Sequence, residues 1–112
     1  MANKWGIPKE IEELVLKRDL KCIYCGCDFT DSKVSYKSRP TWEHIINDIR
    51  INGPENVGLC CGSCNASKGR KKLEDWLNSN YCNKKGITID SVAQTVKKAL
   101  KNKIESMNLS YI

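Results

Sequence analysis

Apolar residues along the chain fall into helix-like and strand-like spacings. Ile11, Leu14 and Val15 stand at i, i+3 and i+4, with Glu10, Glu12, Glu13, Lys17 and Arg18 around them. That spacing predicts an amphipathic helix of roughly three turns. Pro8 suits its first position, where a missing N–H costs nothing. Thr41-Trp42 running into Ile45-Ile46 reads as one short strand, and Val57-Gly58-Leu59-Cys60 as a second, antiparallel to it. Between them lies the turn cluster Asn52-Gly53-Pro54-Glu55-Asn56. A helix is predicted from about Asn65, with Leu73, Trp76 and Leu77 again at i, i+3, i+4. Val92, Val96, Leu100 and Ile104 repeat every four residues in a last helix over about 90–106, which Asp90 can cap. Lys97, Lys98, Lys101 and Lys103 fall on the outer side of that helix. Segments 28–39 and 78–86 carry turn residues instead. The sum is an α+β chain forming a single domain, 1–112.

Composition changes this picture in one respect. A chain of 112 residues with 40% apolar content and a single Phe has a modest core. Something else must help to hold it, and seven cysteines are available. An odd number excludes complete internal disulfide pairing. No apolar leader follows Met1 and no run of about 18 apolar residues occurs, so no membrane span is expected. The expectation is an intracellular, reducing location, cytoplasmic, where cysteines bind metal or do chemistry more often than they bridge.

Two cysteine pairs share one spacing, Cys22-x2-Cys25 and Cys61-x2-Cys64. A two-residue gap lets one tight turn point both thiolates at one ion, and two such pairs complete a tetrahedral zinc site. Cysteines that merely pack would not repeat that spacing. Structural zinc would supply the stability a small core lacks. Cys27 could replace Cys25 in the first pair. Cys60 should point to the opposite strand face from Cys61, and Cys82 stands alone in a turn.

Net charge is +6 and uneven. Residues 76–112 hold six Lys against Asp90 and Glu105. A basic surplus favours a polyanion through counterion release, though a solvated lysine face explains the charge equally well.

The stretches "RDLKCIYCG" (18–26), "WEHI" (42–45), "NVGLC" (56–60) and "CGSCNASKGRK" (61–71) carry a resemblance to the HNH endonuclease family. It covers about residues 18–75, inside a core of about 18–78. It implies a small zinc-stapled ββα-metal core (HNH, or His-Me finger) with added N- and C-terminal helices. Two antiparallel strands would pack on a helix, with a catalytic divalent ion between them and the structural zinc behind. The family usually has Asp or His before the motif histidine, where this chain has Glu43. The last motif position, His or Asn in the family, is Asn65, so the chain is an H-N-N variant.

These residue types suit phosphodiester hydrolysis. His44, the chain's one histidine, has the side chain whose pKa lies nearest neutrality, so its imidazole can take a proton from water. Magnesium or manganese would take the Glu43 carboxylate and the Asn65 amide oxygen, with phosphate and water completing the set. Neighbours on a strand point to opposite faces, so the strand should bend or end at His44. Asn56 would tie down the loop that follows. Lys68, Arg70, Lys71 and Lys72 can grip phosphates beside the scissile bond, or form a solvated helix face. The expected partner is DNA, in double-stranded form. Cutting both strands calls for a homodimer or two successive nicks, and a phage, restriction or mobile-element setting suits small proteins of this family. A non-catalytic zinc-knuckle nucleic-acid-binding module is the alternative. It explains the four paired cysteines and the basic tail, but not Glu43-His44, Asn56 and Asn65 together.

Overall fold

The computed structural model describes residues 6–29, 38–48 and 50–109, with side chains up to 102. It is α+β in the order α1 (Lys9–Arg18), β1 (Pro40–His44), β2 (Val57–Cys61), α2 (Gly62–Lys68), α3 (Leu73–Leu77), α4 (Asn80–Lys85) and α5 (Gln94–Leu109). Most of the turn-rich stretch expected over 28–39 lies outside the described residues. No described helix is long and apolar enough to cross a membrane.

β1 and β2 form an antiparallel pair in continuous register, from Pro40 opposite Cys61 to His44 opposite Val57. On one face Trp42, Val57 and Leu59 meet Ile7, just ahead of α1, and Val15 of α1 itself. The other face looks into the larger core, where Ile23, Tyr24, Ile45, Cys60, Leu73, Trp76, Val92 and Val96 are buried. α1 follows the predicted span, with Pro8 as its cap rather than its first residue. Its inner face is Ile11, Val15 and Arg18; Leu14 is 45% exposed, contrary to the expected stripe. The reason is the polar anchor after Val15. Arg18 donates to the carbonyls of Pro54 (2.7 Å) and Val57 (2.8 Å) and to the Asp19 carboxylate. Asp19 in turn accepts the Leu59 amide at 3.0 Å. These bonds rotate α1 so that its last turn, not Leu14, faces β2. Gly58 permits the close approach, because a Cβ there would lie 2.8 Å from Ile23 Cδ1 and 3.2 Å from Asp19 Oδ2.

The chain after β2 departs from the predicted single helix. α2 starts at Gly62, so Asn65 lies inside it rather than at its start. Gly69 (φ +49°) ends it, and Leu73, Trp76 and Leu77 belong to the separate α3. Segment 78–86, read as turns, contains α4. The Ser79 hydroxyl caps its start by accepting the Cys82 amide, and left-handed Gly86 ends it. α5 begins at Gln94 rather than near Asp90, since Thr88 and Ser91 close a turn on each other first. Val92 is therefore buried ahead of the helix, with Val96 and Ala99 behind it. The Ile104 side chain lies outside the described part.

Candidate metal centre and the His44 loop

Residues 22–27 make a tight knuckle. The Gly26 amide returns to the Cys22 carbonyl (3.0 Å), the Cys22 amide to the Cys27 carbonyl (2.9 Å), and Gly26 takes φ +78°. The Ile23 amide bonds the Leu59 carbonyl at 3.1 Å, which fastens the knuckle to β2. Cys61 ends β2 and Cys64 sits in the first turn of α2. The sulfurs of Cys22, Cys25, Cys61 and Cys64 all lie within 4.8 Å of one another, with Cys25 and Cys61 at 3.7 Å. A tetrahedron with Zn–S of about 2.3 Å has edges of about 3.8 Å. Four thiols at that spacing fit a structural zinc ion, which would be bound as thiolates. Backbone amides already aim at the sulfurs: those of Cys25 and Cys61 at Cys22 (3.5 and 3.3 Å), and that of Cys64 at Cys61 (3.4 Å).

The other three cysteines are outside this set. Cys60 is fully buried, and its thiol is held above its usual pKa by burial, with the nearby Glu43 charge adding to it. Cys82 is buried on α4 as a packing residue. Cys27 borders the cluster, its thiol pushed up to about 11 by burial and by Cys25 beside it.

β1 ends at His44, and the chain bends over 45–47. Asn56 spans the resulting loop: its side-chain oxygen accepts the Ile46 amide (2.7 Å), and its amide donates to the carbonyls of Ile46 and Ile51 (both 3.1 Å). His44 is 8% exposed, and its Nε2 lies 2.7 Å from Asn52 Oδ1. An amide oxygen only accepts, so Nε2 carries the proton in this arrangement. Sequence reasoning read Asn52 only as a turn residue. Nothing in an Asn-Gly pair signals which side chain across the loop it will meet.

Glu43 goes the other way, as strand alternation requires. Its Oε2 accepts the Tyr24 hydroxyl at 2.6 Å and pairs with Lys68 Nζ at 3.1 Å. Tyr24 remains a protonated donor, because burial and the Glu43 charge both raise its pKa. Lys68 is 1% exposed and also reaches the His44 carbonyl, at 3.5 Å. This corrects the expectation that Lys68 grips phosphate: its ammonium is inside, consumed by Glu43. Arg70, Lys71 and Lys72 are exposed, and Asn47 of the His44 loop reaches the Arg70 carbonyl at 3.5 Å. Asn65 faces β1, its amide donating to Thr41 Oγ1 (2.9 Å) and to the Trp42 carbonyl (3.2 Å).

Glu43 and Asn65 thus share the seam between β1 and α2, while the His44 ring turns into the loop. Their oxygens have the right chemistry for magnesium or manganese. Lys68 already neutralises one Glu43 oxygen, so a divalent ion at this carboxylate would have to tolerate the ammonium. The seam fits such an ion in donor type, and Lys68 weakens that fit.

A Bacillus subtilis (strain 168) protein named "SPbeta prophage-derived putative HNH endonuclease YoqL" is 31% identical over 67 residues. The match covers 56% of this chain and 29% of that protein, so the chain spans less than a third of its relative. No family model matches the chain, and no solved structure matches it to significance.

Proposed function

We propose that the chain is a metal-dependent endonuclease of the HNH family that hydrolyses DNA phosphodiester bonds, with residues 18–78 as its ββα-metal core. The observation that carries this reading is His44 at the end of β1, held by Asn52 within a loop that Asn56 braces, on a strand pair whose other end carries Cys61 of a four-thiol centre. Similarity to a prophage protein named as an HNH endonuclease supports it. In this mechanism His44 accepts a proton from the attacking water as the new P–O bond forms and the bond to the leaving oxygen breaks. The leaving oxygen takes its proton from solvent. Asn52 fixes the ring and Asn56 fixes the loop. Arg70, whose carbonyl meets Asn47 of that loop, and the exposed Lys71 and Lys72 after it hold phosphates of a double-stranded substrate. A magnesium or manganese ion, when bound, supplies Lewis-acid stabilisation of the phosphate charge, with Glu43 and Asn65 as the protein donors. The lysine-bearing helix α5 adds non-specific attraction to DNA. A homodimer, or a partner from a phage or restriction system, would deliver double-strand cutting. The protein acts inside the cell.

One observation favours the alternative of a non-catalytic zinc-knuckle module that binds nucleic acid. The Glu43 carboxylate already has a resident cation in Lys68. Plasmid cleavage in magnesium, with EDTA as control, separates the two. Wild-type protein should nick or cut, and His44→Ala should fall by about 10²–10⁴-fold with zinc content and DNA binding retained. Wild-type protein that binds plasmid but never cuts it with either ion would leave the binding module. His44→Ala cutting at the wild-type rate would remove His44 from the mechanism.

A further inference from the structure

A zinc ion held by four thiolates carries two net negative charges, and a partly buried site must offset them with hydrogen-bond donors. Two of the four sulfurs obtain donors from the knuckle backbones themselves. Cys22 receives the amides of Cys25 and Cys61, and Cys61 receives that of Cys64. Cys64 differs. Its donor is the Tyr81 hydroxyl, 3.3 Å from Sγ, delivered from α4.

The phenol is built into place. Ser63 Oγ lies 2.9 Å from the Tyr81 oxygen, so with Tyr81 donating to sulfur, Ser63 donates to Tyr81. The Tyr81 ring stacks on Trp76, at 6.0 Å between centroids and 29° between planes. Trp76 is itself fully buried and fixed by its Nε1–H to Ser67 Oγ at 3.0 Å. Lys85 Nζ, one turn on, stands 5.1 Å from the Tyr81 ring centroid. A cation over the ring draws electron density from the phenol and makes its O–H a better donor. Capping by Ser79 and burial of Cys82 set the rotation of α4 that aims this group at the sulfur.

We propose that Tyr81 is the outer support of the zinc centre. Its hydroxyl donates to the zinc-bound Cys64 thiolate, with Ser63 and Lys85 orienting and strengthening that bond. This rests on the four-cysteine zinc site and not on nuclease activity. Zinc is lost when a thiolate is protonated or attacks another reagent, and a sulfur lone pair engaged by an O–H is less available for either. Outer partners of this kind typically alter metal affinity 10–100-fold. α4 is therefore part of the metal site, although it lies beyond the stretch that resembles the nuclease family.

The test compares zinc-loaded wild type with Tyr81→Phe, which removes one oxygen and keeps the ring. Zinc transfer to a chromophoric chelator at neutral pH should be about 10-fold faster in Tyr81→Phe. In the cobalt-substituted protein the sulfur-to-metal charge-transfer band should shift. Equal release rates and unchanged cobalt spectra would overturn the proposal while leaving the zinc site standing. Wild-type protein that binds no zinc would end both. Should Tyr81→Phe fail to fold in excess zinc, Ser63→Ala carries the test: release should be faster than wild type, and an unchanged rate counts against Tyr81.

Discussion

β1 is held differently at its two ends. Around Thr41 the strand faces Cys60 and Cys61, and the structure there is dense with specific partners: four sulfurs, three amides, Tyr81 and the buried Trp76. At His44 the strand stops and two asparagine side chains do the holding, Asn56 across the loop and Asn52 on the imidazole. The rim of the loop carries surface contacts, among them the Asp48–Arg50 pair and the bond from Asn47 to Arg70. One end is a staple and the other a tethered loop. The proposed hydrolysis calls for that division, because the scaffold must be rigid while the strand end must admit a phosphodiester and water.

The comparison breaks most completely at the staple. Cys61→Ser removes one of the four candidate zinc ligands and also the sulfur that accepts the Cys64 amide. Structural zinc supplies folding free energy directly, so the variant should lose metal and its cooperative melt together. Metal analysis and thermal denaturation with and without EDTA read this. A zinc-free protein that melts as sharply as wild type would show that the four thiols are ordinary packing residues.

Next in size is the joint between the two ends, the pair of Glu43 and Lys68. Both groups are buried, and removing one partner of such a pair costs about 3–5 kcal/mol, because the other charge is left uncompensated. Lys68→Met should therefore destabilise strongly, and Glu43→Gln added to it should restore part of the loss. The same Lys68→Met change should tighten magnesium binding at Glu43, since a competing cation is gone. DNA affinity and its salt dependence should hardly change. If Lys68→Met instead weakens DNA binding and leaves the melt untouched, Lys68 is a surface cation after all.

How far the sequence revealed all this follows the same division. The staple is legible because a two-residue gap between thiols leaves one useful geometry, and two gaps of that kind name four residues. The strand pair and the Asn52–Asn56 turn are legible from alternation and turn chemistry. What escaped depends on contacts between residues far apart in the chain. Lys68 sits in a run of cations that looks solvated, and its burial is set by Glu43 and Tyr24, 25 and 44 positions earlier. Leu14 fits a helical stripe, yet the Arg18–Asp19 anchor rotates it into solvent. α4 was missed despite legible caps, Ser79 and Gly86, because six residues offer too little periodicity to weigh against the surrounding turn residues. Tyr81 therefore stood in what looked like a turn, with nothing to tie it to a sulfur 17 positions away.

The smallest effect belongs to the surface of the tethered loop, and it sharpens the contrast. Asp48 holds Arg50 through both carboxylate oxygens, at 2.9 and 2.8 Å, and also accepts the Arg50 amide at 3.0 Å. Hydrogen bonds from the Arg50 side chain and then its backbone lower the Asp48 pKa to about 2. A carboxylate whose folded pKa is depressed stabilises the fold above its unfolded pKa and loses that contribution as pH falls through the folded value. Asp48 is thus ionised throughout pH 5–9, and its pairing contributes no pH dependence there. The Arg50 side chain is 85% exposed, and exposed ion pairs contribute little. Asp48→Asn should accordingly shift the melting temperature by no more than about 2 °C, equally at pH 5 and pH 9. Hydrogen exchange at the Ile46 amide, which Asn56 accepts, should be unchanged. A large drop in melting temperature, or loss of protection at Ile46, would mean that the loop depends on its surface pair. The distinction between a braced interior and a loosely decorated rim would then fail at this end of β1.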